Sequence, residues 1–292
     1  MTTATQLESR GVALVARSQK ASPAPGLIVD RPLPGPDVDY VSPFLMIDHF
    51  GPTPVPPGGS GGLNPHPHRG FETVTFIFEG AMEHHDSLGN HGSLRPGDVQ
   101  WMTAARGIVH AEYHEREFAR RGGVLHGIQL WVNLPARDKM NPPGYQDIAS
   151  ERITEAPIDG GVARVIAGEV RGVRGPARTH TPMLVAHLKL TAGAAVQIPI
   201  PETWNALAYV IDGRGRAGAE QLDERQMAVF EVGAPVLDLA ATTAASILLL
   251  AGKPIDEPVV SWGPFVMNTR EQILQARDDY LSGRMGSLAE RS

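Results

Sequence analysis

The chain has 292 residues, a formal net charge of −6, 42% hydrophobic and 20% charged residues, which suffices for a substantial core and excludes a disordered chain. The absence of cysteine excludes a disulfide framework, thiolate metal sites, iron–sulfur clusters and thiol nucleophiles, and the acidic balance supplies no global field for nucleic acid or anionic lipid. The 32 glycines and 25 prolines exceed what a helical bundle tolerates and point to many short strands.

Residues 1–18 lack a basic start followed by an apolar run of about seven, and no later segment approaches about eighteen uncharged apolar residues. The expectation is a cytoplasmic protein without a membrane segment. Residues 1–45 alternate short apolar pieces (12–15, 26–29, 44–47) with breaks at Pro32, Pro34 and Pro36, a pattern of strand and turn. The segment 42–51 reads SPFLMIDHFG and leads into 52–62, where Pro and Gly supply eight of eleven residues and predict a mobile loop.

Residues 71–78, FETVTFIF, are β-branched or aromatic with one exception and predict a strand. Further strands are predicted over 98–103, 108–114 and 124–134, with turn signals at Gly89-Asn90, 95–97 and Arg106-Gly107. The stretch PARDKMNPPGY at 135–145 interrupts this rhythm and places a domain boundary, giving an N-terminal domain over 1–136 and a C-terminal domain over 137–292. The second half repeats the texture, with strands predicted over 161–167, 183–190, 206–211, 227–231 and 245–250. A helix closes the chain: Asn268 or Thr269 caps it, Glu271 or Gln272 stands three residues on, and Ile273, Leu274, Arg277, Tyr280 and Leu281 follow at helical spacing. The fold class read from this pattern is all-β, a sandwich or barrel, with a short C-terminal helix.

Eight of the eleven histidines fall between residues 66 and 126. In NPHPHRGFE, His66 and His68 stand two apart, so an extended chain puts both imidazoles on one face. A strand continuing through this block would add Glu72, Val74, Phe76 and Phe78 to that face. In GIVHAEYHE, His110, Glu112 and His114 alternate with Val109, Ala111 and Tyr113, again collecting donors on one side. Either piece alone reads as solvated histidines or as a plain histidine–carboxylate hydrogen bond. Together, three histidines and one carboxylate form a nitrogen-rich donor set that leaves positions open on an octahedral cation for substrate or O2. His114 is the reserve donor if Glu112 faces away. His84, His85 and His91 are expected as solvated imidazoles at a hairpin tip around Gly89-Asn90, His126 as a hydrogen-bonded core residue, and His49 as surface or pocket wall.

The stretches SPFLMIDHFG, NPHPHRGFETVTFIFEG, LRPGDVQWMTAARGIVHAE, LHGIQLWVNLP and GPFVMNTREQI resemble the pirin family of bicupins. The resemblance implies two cupin domains (double-stranded β-helix, jelly-roll) packed as a bicupin, with the metal in the first and a degenerate, metal-free second. It maps the family's four ligands onto His66, His68, His110 and Glu112, with Glu72 in their surroundings. One divalent metal is implied, Fe(II) first, with Ni, Co, Mn, Cu or Zn as substitutes.

Several bacterial pirins resemble quercetin 2,3-dioxygenases, which implies a small aromatic, flavonol-like substrate and O2 as partners. The flavonol 3-hydroxyl would give its proton to Glu112, both ligand and catalytic base, before O2 opens the ring with loss of CO. A carboxylate on a divalent cation has depressed basicity, so that double role requires it to swing off or bind weakly. Phe71, Phe76, Phe78, Trp101 and Met102 could wall such a substrate, although core packing is the default for each. The alternative implied by other pirins is an iron-dependent redox-sensing regulator that binds a transcription factor or metabolic enzyme. Arg69, Arg106, Arg116, Arg120 and Arg121 would then contribute a basic patch around the site. A third reading is a structural zinc with a closed tetrahedral site. Direct nucleic acid binding is not expected, and a monomer is.

Overall fold

The computed structural model describes residues 8–24, 26–59 and 61–289. Residues 1–7 of the opening segment and Ser60 of the 52–62 loop lie outside them. The chain forms two compact units assembled from interleaved segments. One takes the residues up to Gln19 with Pro32–Pro43 and Glu151–Pro254; the other takes Lys20–Arg31, Phe44–Ser150 and the chain from Ile255 onward. Among the described residues no helix is long and apolar enough to cross a membrane.

The first, called here the aliphatic unit, sets a seven-stranded sheet against a four-stranded one. The larger sheet runs Val12–Arg17, Gln226–Phe230, Asn205–Asp212, Ala245–Gly252, Met183–Leu190, Gly161–Ala167, Thr154–Ile158 in spatial order, and the pairings are antiparallel. The smaller runs Ala195–Pro199, Val236–Ala241, Gly215–Ala217, Glu220–Leu222. Leu184, Ala186, Leu188, Val210, Ile247 and Leu249 from the larger sheet share one apolar cluster with Val196, Ile198, Leu237 and Leu239 from the smaller. The period-2 alternation of the strands thus seals the space between the sheets with aliphatic side chains. The strands expected over 161–167 and 183–190 occupy those bounds.

The second, the histidine unit, follows the same plan. Its seven-stranded sheet runs Gly144–Ile148, Val99–Thr103, Phe71–Glu79, Gly123–Asn133, Phe44–Val55, Leu27–Leu33, Gln19–Ala24. Its four-stranded sheet runs Gly62–His68, Ile108–His114, Met82–Asp86, His91–Leu94. The helix Arg270–Leu281 belongs here and begins as expected, with a capping box between Thr269 and Gln272. A short helix at Arg116–Arg121, capped by Glu115, interrupts the strands without having been anticipated.

Two expectations are corrected. The strand Phe44–Val55 runs through Pro52 and Pro54, so the loop expected over 52–62 is strand in its first part. The HxH strand does not continue into 71–78. It ends at His68, the chain turns at Gly70 with φ +89°, and Phe71–Glu79 belongs to the opposite sheet. A Cβ at Gly70 would collide with the Val266 carbonyl oxygen, so the turn that separates the two strands demands glycine.

Candidate metal centre

His66 and His68 sit on an edge strand whose prolines, Pro65 and Pro67, cannot donate to a ladder. The pairing with Ile108–His114 aligns His110 with His66 and Glu112 with Leu63, so one extra residue bulges out between them. Such a bulge re-aims neighbouring side chains, and here it lies beside three convergent imidazoles. The ring centroids of His66, His68 and His110 are 4.3 to 4.9 Å apart. One nitrogen from each ring falls within 4.8 Å of the others.

The Nδ1 of each ring is engaged elsewhere: His66 with Asn64 O at 2.8 Å, His68 with Pro264 O at 3.4 Å, and His110 with His84 Nδ1 at 3.4 Å. A Nδ1–H donated to a carbonyl leaves Nε2 as the lone pair, the tautomer metal ligation requires. The Nε2 atoms of His68 and His110 are buried without a partner. Burial first, then the neighbouring imidazole of His66, holds His68 well below the ordinary histidine range; burial, then His66, His68 and His84, does the same for His110. Two buried rings with orphaned nitrogens, converging with the ring of His66, fit a divalent cation.

His84 departs from its expected place. The hairpin of Met82–Asp86 with His91–Leu94 forms around Gly89-Asn90, but only His85 and His91 face outward; His84 is buried, opposite Glu112 in register and against His110. Its Nε2 lies 3.8 Å from Asp86 Oδ2. Burial pushes the Asp86 carboxyl up, yet the nearby His84 imidazole and hydrogen bonds from Asn90 and Tyr145 outweigh it and hold the group well below the usual carboxylate range. A carboxylate, an imidazole and a ligand imidazole are thereby arranged in line, the usual means of fixing a ligand ring.

Glu112 is buried and lies on the same strand as His110, but its oxygens are not in the set that converges within 4.8 Å. They accept from Gln129 Nε2 at 3.1 and 3.0 Å and from Thr75 Oγ1 at 3.4 Å. Beside Glu112 opens a cavity of about 80 Å3, walled by Leu27, Val29, Phe50, Met82 and Leu125 and also reached by Asp48. Arg31 binds the Asp48 carboxylate through two nitrogens, at 2.5 and 2.6 Å. The aromatic residues expected as walls are elsewhere: Phe71, Phe76, Trp101 and Met102 are core, and Phe78 packs on His49 and His126. Glu72 is buried in the opposite sheet and accepts from Thr103 Oγ1 at 2.6 Å. His114 contacts Gly59 O at 3.4 Å and lines the cavity without joining the triad.

His49, expected as surface or pocket wall, is fully buried, and its Nε2 meets His126 Nε2 at 2.7 Å. His126 is the core histidine expected. The C-terminal segment buttresses the HxH strand: Pro264 O accepts from His68, and Arg69 pairs with Asp279 Oδ2 at 2.7 Å. The sequence placed Arg69 in an exposed basic patch, but it is buried, and its Nε donates to Arg106 O at 2.6 Å. Lys139, also buried, donates to Gly70 O, Asn133 Oδ1 and Val266 O at 2.7, 2.7 and 3.0 Å, pinning the glycine turn after the ligands. No local pattern marks Lys139, Gln129 or His84, because each acquires its role only through partners distant in sequence.

Comparison with known proteins identifies the family and the fold. The pirin family model matches residues 26–132, and the model of the pirin C-terminal cupin domain matches residues 185–286. A pirin-like protein of Solanum lycopersicum is 40% identical over 277 residues, 94% of this chain and 91% of its own. The pirin of Homo sapiens is 39% identical over 284 residues, 95% of this chain and 94% of its own. A crystal structure of a quercetin 2,3-dioxygenase from Acinetobacter baumannii superposes with a TM-score of 0.92 at 36% identity, covering 97% of this chain and all of that one. The mostly-β architecture with two cupin domains is that of a bicupin, and the chain belongs to the pirin family.

Proposed function

We propose that the chain is a metal-dependent dioxygenase acting on flavonol-type substrates, with one divalent cation, iron in the cell, held by His66, His68 and His110 and attended by Glu112. The observation that carries this reading is the convergence of three imidazoles, two of them with buried, unpartnered Nε2 atoms. The likeness to a dioxygenase structure over nearly the whole chain supports the reaction class. When bound, the cation supplies Lewis-acid polarisation of a substrate oxygen and a redox route to O2.

The chain's own residues do the rest. Glu112 lines the cavity, where a carboxylate oxygen can accept the proton of an enolic hydroxyl. Leu27, Val29, Phe50, Met82 and Leu125 exclude water from the ring of an aromatic guest and raise the strength of every electrostatic contact inside. His84 and Asp86 hold the His110 ring in place during turnover.

The test is anaerobic loading with Fe(II), quantification of bound iron, and measurement of O2 uptake and CO release on adding quercetin. Stoichiometric iron with turnover that vanishes in His110→Ala supports the reading. One iron per chain with no turnover would move the assignment to a metal-dependent regulator whose partner, not substrate, meets this surface.

A further inference from the structure

Gln129 faces Glu112 across the space between the sheets, and its single amide nitrogen donates to both carboxylate oxygens. The amide is itself oriented, because Gln129 Oε1 accepts the indole N–H of Trp131 at 3.2 Å. The indole is fixed in turn, tilted against Phe71 at 4.2 Å and edge-on to His68 at 5.2 Å between ring centroids. Three hydrogen bonds thus run in one direction, one from indole to amide and two from amide to carboxylate, and the indole that starts them touches a histidine of the triad. An amide orientation fixed in this way cannot turn over to offer its oxygen to Glu112 without losing the indole bond.

A carboxylate that accepts hydrogen bonds on both oxygens must rotate away from or share one of them to reach a cation. The carboxylate oxygens of Glu112 stay outside the cluster formed by the three imidazoles. We propose that Gln129, oriented by Trp131, is a positioning residue that keeps the Glu112 carboxylate a weak, exchangeable fourth donor beside the three histidines. The inference rests on the metal-centre reading above and deepens it. A carboxylate coordinated permanently loses basicity to the cation, whereas one held by an amide keeps a second lone pair on each oxygen for a substrate proton.

The test uses Co(II) as probe, bound anaerobically to the full chain and followed by chelator competition and visible absorption. Gln129→Met keeps length and volume but removes the N–H, so Glu112 is released towards the cation. Affinity for Co(II) rises, by about tenfold, and the bands change as a carboxylate joins; ordinary loss of ligand support would lower affinity by a similar factor or more. Glu112→Gln reverses both changes in the Gln129→Met background, and its effect there exceeds its effect in the parent protein. Trp131→Phe, which retains the ring against Phe71 and His68 without the N–H, shifts both readouts in the same direction by less, and carries the test if Gln129→Met does not fold.

Unchanged or weakened Co(II) binding in Gln129→Met and Trp131→Phe overturns the inference. So does an equal effect of Glu112→Gln in both backgrounds. Failure of the parent protein to bind one Co(II), or binding that survives His110→Ala, overturns the metal-centre reading itself.

Discussion

In the aliphatic unit an inner strand offers Leu184, Ala186, Leu188 and Leu190 to the space between the sheets, and every one joins a continuous apolar cluster. In the histidine unit an inner strand offers His110 and Glu112 to the space between the same kinds of sheet, opposite Asp86 and His84. The plan of seven strands against four is common to both, so the architecture alone assigns no chemistry; the side chains at inward positions do. Buried nitrogens without partners cost about 1–3 kcal/mol each. The histidine unit carries that burden at His68 and His110, and the ligand that would relieve it is a cation.

The largest break in this comparison comes from removing a donor. His68→Ala or His110→Ala should abolish stoichiometric metal binding, measured by metal analysis after anaerobic loading, while the circular dichroism stays native, because the core clusters of neither unit depend on those rings. The converse cut is Leu249→Ala, at a fully buried position of the aliphatic cluster. It should lower stability by about 2–5 kcal/mol in urea denaturation and leave metal affinity unchanged. A loss of metal affinity in that variant would show that the two interiors are not independent.

Acid distinguishes the units next. His68 and His110 are held below their ordinary range in the folded state. Below about pH 6.5 the unfolded chain takes up protons that the folded chain refuses. The stability of the metal-free protein is therefore complete above that pH and falls as the medium becomes more acidic, by at most about 1.4 kcal/mol per pH unit for each histidine. The urea midpoint followed from pH 7 to 5 should drop more steeply in the parent than in His110→Ala. The smallest effect is at the C-terminal helix, where Thr269→Ala removes the cap and should cost about 1 kcal/mol in the same denaturation experiment.

What was legible in the sequence was local. The β-branched and aromatic run of 71–78, the alternation in 108–114, the HxH spacing and the Thr269 cap each depend on residues a few positions apart, and each appears in the fold. The three histidines could be paired from two motifs 42 residues apart because both motifs collect donors on one face of a strand. His84 was hidden, since proximity to a hairpin tip suggests solvent while the register opposite Glu112 turns it inward. Gln129 was hidden for a related reason: a glutamine in QLWV looks like the polar face of a strand until the opposite sheet places Glu112 above it. The interleaving of the units rests on pairings such as Val12–Arg17 with Gln226–Phe230, more than two hundred residues apart, which no change of composition announces.

The central claim is that His66, His68 and His110 together hold one cation. Anomalous diffraction at the iron edge from crystals grown anaerobically with Fe(II) tests it most directly. The account predicts a single strong peak in contact with all three imidazoles and none in the aliphatic unit. A peak that omits any one of the three, or iron bound only at exposed side chains, would contradict it.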